Sequence, residues 1–377
     1  MSIMIFPPEI IDIFFSHLHP DRHALGDCSL VCKTWLPIAR FHLLSDISAR
    51  FSTAEHDSRL TELLSSPLCS MLSFLRRVHL QGSYFSFPLH VVSETSSAIR
   101  SLCRIRTLEL EDLTWPLVPS ELKCIASTFD LTSLSLSGTI FQSPNNLSAF
   151  ISSFPHLCTL SLGQGIRWLE PSCDLSTLKD LKYLHTVSMH DTSQGLMTLL
   201  LRLAASSPIH TLELRFTSTP QNCLIDELLC KMSMSLKHLT LDLRSLWRGP
   251  VAFNCDLGSH LELRSLTFRE PRLLWMDDSE EAWTGFFALL TSIKSRNMES
   301  LTLGLQPINS KEDYEKVDWL GFDDVLTGDI LQSLRRVNLR VSGSQPTTIG
   351  AIKASLPKTS SRNLLDVEFT ETSIPAA

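Results

Sequence analysis

A chain of 377 residues that is 43% hydrophobic and 19% charged has room for a sizeable buried core and is too apolar to be disordered. Its net charge of −7 comes with no basic stripe, which excludes a nucleic-acid surface, and its longest apolar run, near Leu196, holds Arg202 and ends in Ala-Ala-Ser-Ser-Pro, so no membrane span is expected. The first residues lack the basic start and long apolar core of a secretory signal, and ten cysteines without a Cys-x-x-Cys pair read as reduced thiols of an intracellular protein, cytoplasmic or nuclear.

Residues 6–18 read as a helix. Pro7 and Pro8 suit a first turn, where the missing N–H is not needed, and Glu9 complements the positive end of the dipole. Ile10, Ile11, Phe14, Phe15 and Leu18 form one apolar face at helical spacing. His19-Pro20-Asp21 ends the helix. A second helix is expected from Asp21 to about Val31, and a third from near Thr34, carrying Trp35, Ile38 and Phe41. Three pieces this small and this apolar need a surface to dock on. His17, His19 and His23 lie near Asp21, but no further ligand pattern supports a metal site there.

Pro7-Pro8-Glu9-Ile10-Ile11, Leu18, Leu25 and the run Cys28-Ser29-Leu30-Val31-Cys32-Lys33-Thr34-Trp35 strongly resemble an F-box over residues 6–47. Phe6 stands where Leu is usual. The resemblance implies docking onto a Skp-type adaptor and through it a cullin. It implies that Pro8, Ile10, Ile11, Leu30, Val31, Cys32 and Trp35 lie at or near that interface. The alternative is a helical cap that covers the first apolar face of a repeat array.

From residue 75 onward one pattern returns: apolar-x-x-apolar-x-apolar. It begins at Leu75, Ile105, Leu131, Leu157, Leu184, Ile209, Leu236, Leu263, Met298, Leu334 and Leu364. Within it, apolar and polar residues alternate as in a half-buried strand, so Leu134 and Leu136 are expected inside and Ser133, Ser135 and Ser137 outside. Between strands, amphipathic stretches at 120–129, 145–154, 194–205 and 222–234 read as helices. The chain is therefore expected to be α/β. Residues 1–50 would be a helical domain, 51–74 a helical linker or cap, and 75–377 a right-handed solenoid of about eleven strand-helix units with a concave parallel sheet. The strand motif resembles the leucine-rich-repeat family. That family's ninth position is usually Asn or Cys. Here it is Ser, Thr or another residue, as at Thr139, whose hydroxyl can bond backbone in place of an amide.

Outward strand positions would line a binding floor. Its candidate partner-binding residues are Thr186, His190, Glu213, Arg215, His238, Asp242, Arg269, Arg336 and Arg340. Trp115 reads as core, and Trp168, Trp247 and Trp275 as packed turn residues or rim anchors. Two long late intervals carry Asp277-Asp278-Ser279-Glu280-Glu281 and the acidic stretch 311–329, read as solvated loops or as an electrostatic lure for a basic segment. Gly163-Gln164-Gly165 lacks the third glycine of a dinucleotide loop, and no nucleophile elbow or Walker loop is present. The expected function is non-catalytic and without cofactors. The F-box would hold the adaptor, the repeats would hold a protein substrate, and ubiquitin transfer would occur on partner subunits. A repeat scaffold acting outside a ligase is the alternative.

Overall fold

Three helices open the chain in the computed structural model, which describes residues 6–18, 21–51, 74–82, 105–117, 129–170, 177–190, 193–215, 222–242, 256–269, 279–305, 314–315, 317–342 and 347–370. They are α1 (Pro8–Leu18), α2 (Arg22–Val31) and α3 (Trp35–Leu44). Asp21 caps α2, its Oδ1 accepting from the Ala24 N–H at 3.0 Å. Such a cap contributes about 1 kcal/mol. It also gives Asp21 a structural role, and among the described residues no group of side chains is suited to a metal ion. The chain divides into two compact units, residues 1–179 and 180–377.

In the first unit the strands are β1 (Asp46–Phe51), β2 (Arg77–Gly82), β3 (Thr107–Glu111), β4 (Ser133–Ser137), the short β5 (Ile140–Phe141), β6 (Thr159–Leu162) and the short β7 (Arg167–Trp168). β1 through β4 and then β6 pair in parallel in that order, while β5 pairs only with β7. β1 departs from the expectation. It pairs in register with β2 from Asp46↔Arg77 to Phe51↔Gly82, so the sheet begins inside the segment that reads as purely helical. Leu44-x-x-Ile47-x-Ala49 repeats the strand motif and is the signal for it.

Helix α4 (Pro144–Ser152) starts with Pro at its first turn and buries Leu147, Phe150 and Ile151 at i, i+3 and i+4. Phe150 meets Trp115 with ring centroids 4.3 Å apart and Phe154 edge-on at 5.1 Å. Trp115 is core, as expected, and Trp168 is half-buried against Phe141. Thr139 is fully buried and its hydroxyl donates to the Ser137 carbonyl at 3.0 Å, the backbone bond expected of its position. Gly138 beside it has φ +58°, and a Cβ there would run into the Asp112 carboxylate.

The second unit contains β8 (Thr186–Met189), α5 (Gln194–Ser206), β9 (Thr211–Arg215), α6 (Asn222–Met232), β10 (His238–Asp242), β11 (Ser265–Arg269), α7 (Ser279–Ser292), β12 (Ser300–Leu305), α8 (Trp319–Thr327), β13 (Arg336–Ser342), α9 (Thr347–Ser355), α10 (Pro357–Ser361) and β14 (Leu365–Thr370). Its seven strands pair in parallel in chain order. Motif positions align from β8 to β13, for example Thr240↔Thr267 and Thr302↔Asn338. β14 is displaced by two residues, with Asn338↔Asp366. The first, fourth and sixth motif residues are buried along the sheet: Leu184, Val187 and Met189, or Leu263, Leu266 and Phe268, have no exposed surface. Helices supply the other half of this core, α5 through Leu196, Leu199, Leu200 and Leu203 and α6 through Ile225, Leu228 and Leu229.

The described parts of the late acidic stretches are mostly helical, and Asp277, Asp278 and residues 311–313 lie outside the described residues. α7 begins at Ser279, and α8 occupies the middle of 311–329, burying Trp319, Phe322 and Leu326. Asp323 is buried as well. Its carboxylate accepts from the Lys358 and Thr359 N–H groups at 2.9 Å and from the Thr359 hydroxyl at 2.6 Å. It caps α10 from another element, which removes it from any surface that attracts a basic segment. The expected helix at 120–129 apart from Phe129, the 51–74 linker apart from Phe51 and residue 74, Trp247 and Trp275 lie outside the described residues.

Candidate functional site

Two surfaces carry the candidate residues. The first is built by α1 and α2. Ile11, Phe15, Leu25 and Ala39 close a small core, with Leu18, Cys28, Trp35, Ile38 and Leu43 packed round it. Trp35 stands edge-on to Phe15 at 5.4 Å. A hydrogen bond between His42 Nε2 and the Asp12 carboxylate at 2.8 Å and the Arg22 guanidinium donating to the Leu43 carbonyl at 2.8 Å tie α3 to α1 and α2. The Arg76 guanidinium lies 5.9 Å from the Phe41 ring centroid, so α3 also holds the start of β2.

The apolar face of α1 therefore splits in two. Ile11 and Phe15 turn inward, while Ile10, Ile13 and Phe14 stay exposed with Phe6. On α2, Leu30 is 83% and Val31 62% exposed, and Cys32, just beyond the helix, is exposed too. Six of the eleven large hydrophobic residues exposed among the described residues fall between Phe6 and Val31, a density that points to a covered surface. Of the F-box-type positions, Ile10, Leu30, Val31 and Cys32 are open to a partner. Ile11 and Trp35 hold the helices together, and Pro8 begins α1.

The second surface is the polar face of the strands in the second unit. Equal register places Ser188 beside Glu213, and Arg215, Asp242 and Arg269 on three successive strands. Glu213 receives Arg269 at 2.7 Å, reaching across β10, and faces His190 at 3.9 Å. Arg215 Nε lies 2.9 Å from Asp242, whose side chain has no exposed surface. The Nε–H is not aimed at the carboxylate, so this contact is an ion pair and not an aligned hydrogen bond. Asp242 therefore has no surface for direct contact with a ligand. His190 also bonds the Ser188 hydroxyl at 3.1 Å, and burial, then the Arg215 charge, lowers its pKa, so it is neutral at pH 7.

Thr186 and His238 open β8 and β10, and their hydroxyl and imidazole meet His185 and Ser265 at 3.0 and 2.7 Å. Arg336 and Arg340 are engaged by Asp366 at 2.6 Å and Glu368 at 3.0 Å. Thus each of the candidate arginines is already paired with a carboxylate. The second surface is a neutral charge ladder and not a charged cleft. Sequence reasoning misses these pairings because they bridge residues 27 to 56 apart, a separation that only the repeat register resolves.

Among the described residues no helix is long and apolar enough to cross a membrane. No protein-family model matches the chain, and no curated protein matches it.

Proposed function

We propose that this chain is the substrate-recognition subunit of a Skp–cullin–F-box ubiquitin ligase. The N-terminal helices hold a Skp-type adaptor, and a leucine-rich-repeat solenoid holds a protein substrate. The contribution is positional: it raises the effective concentration of the substrate near a transfer centre on other subunits. The observation that carries the reading is the exposed apolar set Ile10, Ile13, Phe14, Leu30 and Val31 around a core that is already closed without it. Surface of this kind gains about 25 cal/mol per Å² when a partner covers it. Parallel pairing in chain order, and motif spacings mostly of 25 to 30 residues, support the solenoid.

The test is co-purification of the full chain with a Skp-type adaptor. Leu30→Glu with Val31→Glu puts charges on exposed positions and is expected to weaken adaptor binding more than ~10-fold with the melting temperature unchanged. Trp35 is a poor probe because its loss opens the helical core. A wild-type chain that fails to retain the adaptor, or a double variant that retains it equally well, overturns the ligase reading in favour of a scaffold outside any ligase.

A further inference from the structure

We infer that the N-terminal ends of β8 to β11 form a docking rim for an acidic amphipathic helix of a partner protein. The residue just before each of these strands is His185, His210, Lys237 and Arg264, and His238 opens β10. Backbone bonds hold the four side by side: His210 N–H to the His185 carbonyl at 2.9 Å, Lys237 to His210 at 2.8 Å, Arg264 to Lys237 at 2.7 Å. The other ends of the same strands carry the paired ladder. Here the residues just before the strands are all basic types, Glu262 lies exposed two residues before Arg264, and among the described residues neither Lys237 nor Arg264 forms a salt bridge. Glu299, before the next strand, bounds the row on one side.

Beside the basic row runs an apolar one. Tyr183, Met234 and Leu261 lie one or two residues upstream of the strand motifs, each more than half exposed, Met234 at 80%. They precede β8, β10 and β11, with Pro208 at the β9 position, so the rim offers an apolar row beside the basic one. A helix suits these rows better than an extended peptide. Neighbouring strands stand about 4.8 Å apart, close to the ~5.4 Å pitch of a helix. Acidic groups three or four residues apart then meet successive basic residues, while same-side groups of an extended chain recur every ~6.7 Å and fall out of step.

The histidines report on occupancy. Burial, then Lys237, His185 and His238, lowers the pKa of His210, and burial, then Arg264 and Lys237, lowers that of His238, with Glu299 opposing. Carboxylates laid on the rim reverse the repulsion, so binding takes up protons and tightens as pH falls.

The probe is a fluorescein-labelled peptide with glutamates and leucines on adjoining helical faces, titrated by anisotropy with the full chain. Controls are a shuffled peptide of the same composition and phosphatidylserine–phosphatidylcholine vesicles. Saturable binding is expected, weakened more than ~10-fold by Lys237→Glu with Arg264→Glu and several-fold by Met234→Ser with Leu261→Ser. It should tighten between about pH 7.5 and about pH 6, and lose that pH dependence in His210→Gln with His238→Gln. Of the six rim positions altered, Met234, His238, Leu261 and Arg264 are exposed and His210 and Lys237 half-buried, and Lys237→Gln with Arg264→Gln repeats the test without charge reversal. Absence of saturable binding, equal binding of the shuffled peptide, binding of vesicles in place of the peptide, or unchanged affinity in folded rim variants overturns the inference. Leu30→Glu with Val31→Glu should leave peptide binding intact and the rim variants should leave adaptor binding intact, so rim and ligase readings fail separately.

Discussion

At the scale of single residues, the most informative side chains are buried polar ones. Asp323 satisfies three donors at the start of α10. Asp323→Ala leaves them unpaired and is expected to cost about 3 kcal/mol in urea unfolding, with Asp323→Asn losing less because one acceptor remains. In the sequence Asp323 is one acid among several. Its partners lie 35 and 36 residues later, beyond any local pattern. Asp242 gives a second case. Arg215→Ala removes one charge partner of the buried carboxylate and is expected to cost up to about 3 kcal/mol, while Arg215→Met with Asp242→Leu restores much of it. His260 sets a pH dependence. It is fully buried, its Nε2–H donates to the Leu229 carbonyl at 3.0 Å, and burial lowers its pKa below the ordinary 6.5. The unfolded chain therefore binds the extra proton first. This contribution to stability is complete above pH 6.5 and is lost as pH falls toward the folded-state value. His260→Gln should flatten the decline in unfolding free energy on acidification, and an unchanged slope would assign that decline to other groups.

At the scale of elements, apolar spacing predicts helices well where the partner layer repeats. α4, α5 and α6 begin within one residue of their expected starts, because each buries a stripe at i, i+3 and i+4. α8 is hidden because its acids draw attention from Trp319, Phe322 and Leu326, which fall on one face at i, i+3 and i+7. β1 is hidden because its motif abuts the helical segment and merges with it. On α1 the apolar face is legible, but which half points inward is not, since both halves are equally apolar and only packing against Leu25 and Ala39 decides. The contact of α4 with Trp115 is the tightest aromatic cluster described, and Phe150→Ala should cost about 3 kcal/mol or more in equilibrium unfolding.

At the scale of the whole molecule, each unit stacks the strands of its main sheet in the order in which they are made, with only the short β5 and β7 pairing apart from it. That order is legible because the motif recurs, and the burial of its first, fourth and sixth residues repeats from Ile105 to Leu339. The candidate surface is legible only as a set of positions: side-chain pairing, which neutralises it, emerges from register. β14 ends the order, and it covers β13. Ending the chain after Arg362 uncovers the backbone edge of β13, and self-association in sedimentation velocity is the expected result. β14 also sits two residues away from the register its motif implies. Two is the smallest slip that keeps Val367 on the same face as Leu339, since side chains alternate along a strand. The terminal turn is thus a counter that registers only odd and even: lengthening Arg362–Asn363 by two glycines should be absorbed with little change in melting temperature, whereas one glycine sets β14 out of phase and lowers it.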